Sequence, residues 1–186
     1  MKSSNNRMLM VLYGAANQGK TLELYNLLIA LVCGGSISPG LAKALSSFKK
    51  RNGSYIDNRF VIDYEGAIIV ICSGGDTWSI CKKNTQVFDA SIKHGVIVYR
   101  VTSSGIDKMT SSDIESIKKA DKPIVCVTAC RPSGDAYGAF KVLHAYSEKS
   151  IMEYDNQVWL HKKRNISKLH EMHTIIDNFI KKGQII

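Results

Sequence analysis

One octapeptide constrains the fold of this chain more than any other feature. The run Gly14-Ala15-Ala16-Asn17-Gln18-Gly19-Lys20-Thr21 fits the pattern G-x-x-x-x-G-K-[ST] at every specified position. Glycines at those two places let the backbone curl until successive N–H groups point inward, which suits the binding of a phosphate group. Lys20 can then reach the outer phosphates of a nucleotide, and the Thr21 hydroxyl can ligate Mg²⁺. The octapeptide therefore predicts a phosphate-binding loop.

The segments on either side of the octapeptide have the pattern that such a loop needs. Residues 7–13 form an apolar run that predicts a buried strand, and residues 21–32 space their leucines along one helix face. That helix would place its positive N-terminal end against bound phosphates. Together the strand, loop and helix resemble the P-loop NTPase superfamily over residues 8–33, with residues 14–21 as the Walker A motif.

The resemblance implies a fold and a ligand but not a single reaction. Members of this superfamily bind ATP or GTP with Mg²⁺ on a mostly parallel sheet flanked by helices, and they include kinases, ATPases and GTPase switches. In this chain the resemblance implies that residues 14–21 hold the phosphates and that Lys20 acts in catalysis. The alternatives are a glycine-rich turn that only joins strand to helix, and a loop that binds phosphate without catalysing a reaction.

Length and cysteine usage indicate a single cytoplasmic domain. A chain of 186 residues with 45% hydrophobic content can bury a full core, so residues 1–186 are expected to form one domain. No stretch approaches the ~20 apolar residues of a membrane span. The five cysteines lack Cys-x-x-Cys spacing and most lie in apolar runs, which is typical of reduced core thiols in the cytoplasm.

The chain is basic, with a formal charge of +9 and a pI near 9.3. An anionic partner is therefore favoured. The positive charge lies in short clusters, and the best candidate patch for nucleic acid is His161-Lys162-Lys163-Arg164 with nearby Trp159. No RNA- or DNA-binding motif accompanies these clusters, and solvated helix ends explain most of them. We therefore expect a nucleoside triphosphate, rather than a nucleic acid, as the main anionic partner.

Strand-like and helix-like runs alternate along the chain. Further strands are expected at residues 58–64, 67–72, 96–101, 123–130 and 157–161, and further helices at 41–50, 77–93, 111–119, 136–149 and 166–182. The two-residue link Glu65-Gly66 predicts a β-hairpin over residues 58–72. Alternation of this kind predicts a three-layer α/β fold, here a P-loop NTPase fold with a mostly parallel sheet flanked by helices. Ligands bind at the carboxyl ends of the strands in such sheets, so the residues that follow each strand are the candidates for function.

The run Ser73-Gly74-Gly75-Asp76-Thr77 follows the most apolar strand, residues 67–72. P-loop proteins carry an acidic residue after a strand beside the phosphate loop, where it holds Mg²⁺ or its water ligands. Asp76 is therefore the predicted metal carboxylate, together with the Thr21 hydroxyl. The alternative is that Asp76 caps the next helix. Asp63 also follows an apolar run, but it ranks second because the antiparallel arm of a hairpin would carry it away from the phosphates.

Two further segments follow predicted strands. After residues 123–130, Arg131 would lie at the rim of the nucleotide site, where a guanidinium can offset charge on a transferring phosphoryl group, and residues 133–138 could form a lid. A surface turn with a solvated arginine is the alternative. After residues 96–101, the small polar residues 102–107 are a weaker candidate for contacting a second substrate or the base.

The predicted function is Mg²⁺-dependent binding of a nucleoside triphosphate, ATP before GTP, with hydrolysis or transfer of its γ-phosphoryl group to an acceptor. A small-molecule or nucleotide kinase, or an ATPase, needs only a phosphate loop, a magnesium carboxylate and a closing arginine. The alternative is a switch or accessory subunit that acts on a protein or nucleic-acid partner, because the order of loop, helix, hairpin and glycine-bearing loop is similar to that of Ras-like GTPases. Two GTPase motifs are missing: Asp-x-x-Gly is replaced by Cys72-Ser73-Gly74-Gly75, and Asn-Lys-x-Asp by Thr128-Ala129-Cys130-Arg131.

Overall fold

The structure is a computed structural model that describes residues 6–132, 154 and 156–183. The described residues form seven strands: β1 (Arg7–Tyr13), β2 (Arg59–Tyr64), β3 (Ala67–Cys72), β4 (Tyr99–Thr102), β5 (Gly105–Lys108), β6 (Ile124–Cys130) and β7 (Asn156–His161). They also form six helices: α1 (Lys20–Cys33), α2 (Pro39–Ser46), α3 (Trp78–Thr85), α4 (Val87–His94), α5 (Ser111–Lys119) and α6 (Leu169–Gly183). None of the helices in this part of the chain combines the length and apolarity that a membrane crossing requires.

All seven strands join one sheet in the order β5-β4-β2-β3-β6-β1-β7. The four strands β3, β6, β1 and β7 run parallel, and β2 joins them antiparallel through β3. At the far side β4 is parallel to β2, and β5 is antiparallel to β4. The predicted α/β fold with a mostly parallel sheet is therefore confirmed.

Helices cover both faces of the sheet, which explains why every residue of β3 and β6 is buried. On one face α1, α2 and α6 bury Leu24, Leu41 and Ile176 against side chains such as Met10 and Ile69. On the other face, two clusters bury residues of α3, α4 and α5 against the alternate side chains of the same strands. The chain thus forms the three layers that the alternation of strands and helices predicts.

The predicted hairpin between β2 and β3 is confirmed. The two strands pair antiparallel from Arg59 opposite Cys72 to Tyr64 opposite Ala67. Glu65 and Gly66 link them with φ angles of 51° and 81°, the positive values that a two-residue mirror-image turn requires. Because β2 runs against β3, Asp63 lies at the sheet edge opposite residues 14–19, where it faces Lys122 at 3.7 Å. The structure therefore agrees with ranking Asp63 below Asp76 as the candidate metal carboxylate.

Four sequence-based boundaries are wrong. The helix expected over residues 41–50 begins at Pro39 and ends at Ser46. The helix expected over residues 77–93 is broken at Gln86, whose φ of −122° and ψ of 34° separate α3 from α4. The strand expected at residues 96–101 begins at Tyr99 and turns back as β5, so that residues 102–107 form a hairpin instead of a loop. The last helix begins at Leu169, and not at residue 166, because the preceding residues form a turn against α1.

The direction of β4 also removes one candidate site. The expectation that residues 102–107 lie near the ligand requires the strand before them to run parallel to β1. Since β4 runs parallel to β2, and β2 against β3, the carboxyl end of β4 points to the opposite edge of the sheet. There Ser103 accepts a hydrogen bond from the Ser38 hydroxyl at 2.5 Å, which ties the hairpin to α2. The helix expected at residues 136–149 lies outside the described residues.

Candidate functional site

A cavity of about 450 Å³ opens where β1, β3 and β6 end and β2 begins. Residues of four segments line it, namely 16–22, 50–57, 73–76 and 129–131. The parallel strands bring the first, third and fourth segments to this edge, and the antiparallel β2 brings the second. The cavity therefore brings together Lys20, Thr21, Asp76 and Arg131, which the sequence singled out one by one.

The glycine loop, residues 14–19, joins β1 to α1 as the sequence predicts. Its first glycine is required by packing, because a Cβ on Gly14 would lie 2.5 Å from the carbonyl oxygen of Lys162. Its second glycine is required by conformation, because Gly19 has a φ of 83°. Gly14 itself donates its N–H to the Cys130 carbonyl at 3.1 Å.

Within the described part of the chain, the backbone N–H groups of residues 15–19 make no backbone hydrogen bond of ordinary geometry, although residues 16 and 17 form a turn. Gly19 also provides no side-chain cap for α1, so the N–H groups of the first helical turn are open as well. Successive unpaired N–H groups next to the positive end of a helix attract an anion. The glycine loop can therefore bind phosphate through its backbone alone.

Lys20 is buried at the base of this loop, with 8% of its surface exposed. Its Nζ donates to the carbonyl oxygens of Gly14 and Ala15 at 2.6 and 2.7 Å. Burial lowers the pKa of the ammonium, and Arg131 lowers it further, whereas the attraction of Asp76 opposes both. A phosphate oxygen would be a stronger partner for this ammonium than either carbonyl, because its negative charge adds the attraction between two opposite charges.

The Thr21 hydroxyl donates to Oδ1 of Asp57 at 3.0 Å and lies 3.5 Å from the carbonyl oxygen of Ser73. Asp57 was not among the sequence-based candidates. Partial desolvation in the cavity raises the pKa of its carboxyl and Asp76 raises it further, while the hydrogen bond from Thr21 opposes the shift. The only feature of the sequence that could have indicated Asp57 is its position two residues before β2. That position lies at the cavity only because β2 runs antiparallel to β3.

Two sets of contacts hold Asp57 in this position. One turn along α1 from Thr21, the Tyr25 hydroxyl donates to the Ile56 carbonyl at 2.6 Å, and the Tyr25 ring stacks on Tyr55 with centroids 4.0 Å apart. From the other side, the Ser73 hydroxyl accepts from the Asn58 N–H at 2.9 Å, and the N–H of Ser73 donates to the Asn58 carbonyl at 3.0 Å. Asp57 is thus fixed relative to both α1 and the end of β3.

Asp76 and Arg131 face each other across the cavity rim. Nη2 of Arg131 lies 3.0 Å from Oδ1 of Asp76, and about half of the Asp76 side chain is exposed, at 51%. Asp76 does not cap the next helix: Thr77 does, its hydroxyl accepting from the Ile80 N–H at 3.3 Å. The alternative that Asp76 caps the next helix is therefore wrong. Residues 133–138, the expected lid, lie outside the described residues.

A buried polar network supports the turn that carries Asp76. Asn84 of α3 donates to the Gly74 carbonyl at 2.6 Å and to the Thr128 hydroxyl at 3.0 Å, and accepts from Nε of Arg59 at 2.8 Å. In the same turn, a Cβ on Gly75 would lie 2.0 Å from the Ala129 carbonyl oxygen, so only glycine fits. The turn after β3 is therefore packed directly on β6.

The oxygen atoms around Thr21 fit the requirements of Mg²⁺. No group of three or more His, Cys, Asp or Glu side chains that could hold a metal exists in the described residues. Mg²⁺ does not need such a group, because it keeps several waters and is bound through one or two carboxylates together with substrate phosphates. The Thr21 hydroxyl and the Asp57 carboxylate provide that kind of incomplete shell, with Asp76 at the same cavity.

The basic tract at residues 161–164 does not form a continuous surface patch. His161, Lys163 and Arg164 are exposed, but Lys162 is buried with 5% of its surface accessible. The expected patch is therefore interrupted. Four of the cysteines are buried and the fifth, Cys33, is partly buried; all five are free thiols, as the apolar context predicts.

Comparison with known proteins returned no relative. No protein-family model matches the chain, no curated protein matches its sequence, and no solved structure matches its fold.

Proposed function

We propose that this chain is a P-loop NTPase that binds a nucleoside triphosphate with Mg²⁺ and hydrolyses or transfers the γ-phosphoryl group. The observation that carries the proposal is the convergence of three features at one cavity. These are the open N–H groups of the glycine loop, the Lys20 ammonium hydrogen-bonded to two backbone carbonyls, and the Thr21 hydroxyl paired with a carboxylate. In a magnesium–triphosphate complex, the N–H groups and the Lys20 ammonium would contact the phosphates, and the hydroxyl with its carboxylate would contact Mg²⁺ or its water ligands.

The residues divide the work as follows in this proposal. Residues 14–19 bind the phosphates through the backbone, and Lys20 offsets the charge on the outer phosphates. Thr21 and Asp57 hold Mg²⁺ or its water ligands. Asp76 keeps Arg131 at the rim, from which the guanidinium can turn to the γ-phosphoryl group as its charge develops.

Among nucleotides, ATP is the expected ligand. The Asn-Lys-x-Asp run that reads guanine in GTPases is absent, and Thr128-Ala129-Cys130-Arg131 occupies the end of β6 instead. A small-molecule or nucleotide kinase, or an ATPase, is the reaction class that the site supports best.

One contact also favours a second candidate, a nucleotide-dependent switch. Binding of Mg²⁺ by Thr21 would replace the hydrogen bond between Thr21 and Asp57. Residues 49–57 would then respond to the ligand, because Asp57 would lose its direct hydrogen bond to α1 and the Tyr25 contacts would remain to hold the segment there. Order and disorder of such a segment is a common way for a nucleotide to control a partner.

The test is a thermal-shift panel of ATP, GTP, their diphosphates and non-hydrolysable analogues, each with and without Mg²⁺. A ligand that binds only the folded state raises the apparent stability by mass action. The proposal expects a Mg²⁺-dependent shift that is largest with an adenine triphosphate. Absence of a shift with every nucleotide would overturn it, and an equal shift with the Lys20→Ala variant would show binding elsewhere on the protein. Binding of the non-hydrolysable analogue together with slow hydrolysis of the natural triphosphate would favour the switch over the kinase or ATPase.

A further inference from the structure

One residue far along the chain contacts both glycines of the loop. Lys162 follows β7, and its N–H donates to the Tyr13 carbonyl at 2.8 Å, which places it directly beside the end of β1. Its carbonyl oxygen lies where a Cβ of Gly14 would be, at 2.5 Å. Its ammonium lies beside the other glycine, since a Cβ on Gly19 would be 4.0 Å from Nζ. The side chain of Lys162 thus runs along the underside of the glycine loop.

The basal turn, residues 162–168, is fixed to the loop and to α1 by further contacts. The N–H of Arg164 donates to Oε1 of Gln18 at 2.6 Å. The carboxylate of Glu23, in the first turn of α1, accepts from the Ser167 hydroxyl at 2.7 Å and from the N–H of Lys168. The position of Lys162 relative to the loop is therefore set by the fold and not by a flexible surface chain.

The Lys162 ammonium is buried, and no carboxylate of the described residues pairs with it. It is 5% exposed, and its Nζ donates to the carbonyl oxygens of Lys163 and Ile166, each at 2.8 Å. Within the described residues no carboxylate lies within ion-pair distance of it. A buried cation that has only neutral partners reduces the stability of the folded protein, because the desolvation penalty is not recovered.

Lys20 is a second buried ammonium that donates to backbone carbonyls, although the Asp76 carboxylate attracts it. It is also buried, and its Nζ also donates to two backbone carbonyls, those of Gly14 and Ala15. The open N–H groups of residues 15–19 belong to the loop that both lysines contact. Two buried positive charges and a row of open N–H groups together create a positive field that attracts an anion, and the Asp76 carboxylate offsets part of this field at Lys20.

We propose that Lys162 is a second lysine of the phosphate site, and that the bound phosphates supply the counter-charge that the described residues do not give it. This inference rests on the proposed function of the glycine loop and adds a residue that the loop motif does not contain. Lys162 would act through the loop, as a positioning residue for Gly14 and Gly19 and as a fixed charge beneath the phosphates.

The experiment compares Lys162→Gln with Lys163→Gln, a matched control that removes the same charge from the exposed neighbouring residue. The probes are inorganic tripolyphosphate and a non-hydrolysable ATP analogue with Mg²⁺, titrated by calorimetry into wild type and both variants. We expect Lys162→Gln to weaken both ligands by about tenfold, and Lys163→Gln by less than about twofold, because a buried charge is screened far less than an exposed one.

A third variant separates the charge from the packing. Lys162→Arg keeps the charge and disturbs the packing, so we expect it to recover most of the affinity if charge is the cause. Equal loss in the Gln and Arg variants would overturn the charge role and leave only a structural one. Wild-type affinity in Lys162→Gln would overturn the inference while leaving the proposed function intact, whereas failure of the wild-type protein to bind either probe would overturn both.

A measurement on the wild-type protein keeps the inference testable if the variants do not fold. In protein labelled with ¹⁵N at the lysine Nζ, a buried ammonium held by two carbonyls exchanges its protons slowly enough to be observed. We expect tripolyphosphate to shift two such buried resonances, those of Lys20 and Lys162. If only one resonance shifts, and that resonance is missing from the spectrum of Lys20→Ala, the role of Lys162 is overturned.

Discussion

Two helices of this protein begin in opposite ways. At α5, the Thr110 hydroxyl accepts from the Asp113 N–H at 3.1 Å, and the Asp113 carboxylate accepts from the Thr110 N–H at 2.8 Å, so side chains of the protein close the helix end. At α1, Gly19 provides no cap and the N–H groups before and after it are open. The contrast shows that the open end is not a general property of helices in this fold. In the proposed function, a ligand completes the helix end that the described residues leave open beside buried lysines.

The largest effect is expected from Lys20→Ala, which removes the charge at the open helix end. Loss of a charge-assisted hydrogen bond to phosphate costs about 3 kcal/mol, which is roughly a hundredfold in affinity for the triphosphate. The melting temperature of the unliganded protein should change little, because removing a buried ammonium also removes its desolvation penalty. Calorimetry and thermal melting of the same sample measure both. A large drop in the melting temperature of the unliganded variant would instead show that Lys20 has a structural role.

The next largest effect is expected from Gly75→Ala, which changes the turn after β3 beside the open helix end. A Cβ there would lie 2.0 Å from a backbone oxygen of β6, so the turn that carries Asp76 must move. We expect the free energy of unfolding to fall by roughly 2 kcal/mol or more, and triphosphate affinity to fall with it. The matched control is Gly105→Ala, since no atom lies within 4 Å of a Cβ at Gly105. Equal destabilisation of the two variants in urea unfolding would contradict the close packing of the turn.

A smaller effect distinguishes the two carboxylates of the cavity. Asp57→Asn should raise the Mg²⁺ concentration needed for half-maximal triphosphate binding by roughly tenfold, because Asp57 is the carboxylate bonded to Thr21. Asp76→Asn should change it by less than about twofold, since Asp76 is partly exposed and pairs with Arg131. Mg²⁺ titrations of both variants decide between them. A larger shift in Asp76→Asn would restore the carboxylate that the sequence predicts.

The smallest effect is expected at the closed helix end. Thr110→Ala removes the cap of α5 and should lower the free energy of unfolding by about 1 kcal/mol, the usual cost of losing a helix N-cap. Triphosphate affinity should stay at the wild-type value, because α5 contributes no residue to the cavity. Chemical denaturation and calorimetry measure the two quantities. A drop in affinity would mean that the two helix ends are not independent.

Local features of the sequence predicted the parts of the fold that depend on local chemistry. The strand before the glycine loop, the hairpin turn at Glu65-Gly66 and the helix over residues 111–119 are found where the pattern placed them. Each is fixed by neighbouring residues: an apolar run, a pair of residues with positive φ, and a capping box.

The parts that were missed depend on long-range pairing. Asp57 reaches Thr21 only because β2 runs antiparallel to β3, and strand direction is not written in a short run of residues. For the same reason residues 102–107 lie at the wrong edge for the expected contact. Lys162 belongs to a basic tract that is typical of an exposed surface, and its burial follows from the pairing of β7 with β1.

The phosphate site is tested most directly by calorimetric titration of the wild-type protein with a non-hydrolysable ATP analogue, in the presence of Mg²⁺ and again in excess chelator. The open helix end, the buried lysines and the pair formed by Thr21 and Asp57 predict saturable binding of one nucleotide per chain, tightened by Mg²⁺ and weakened by Lys20→Ala. Absence of binding in both conditions, or binding that Lys20→Ala leaves unchanged, would contradict the assignment of the glycine loop as a phosphate site.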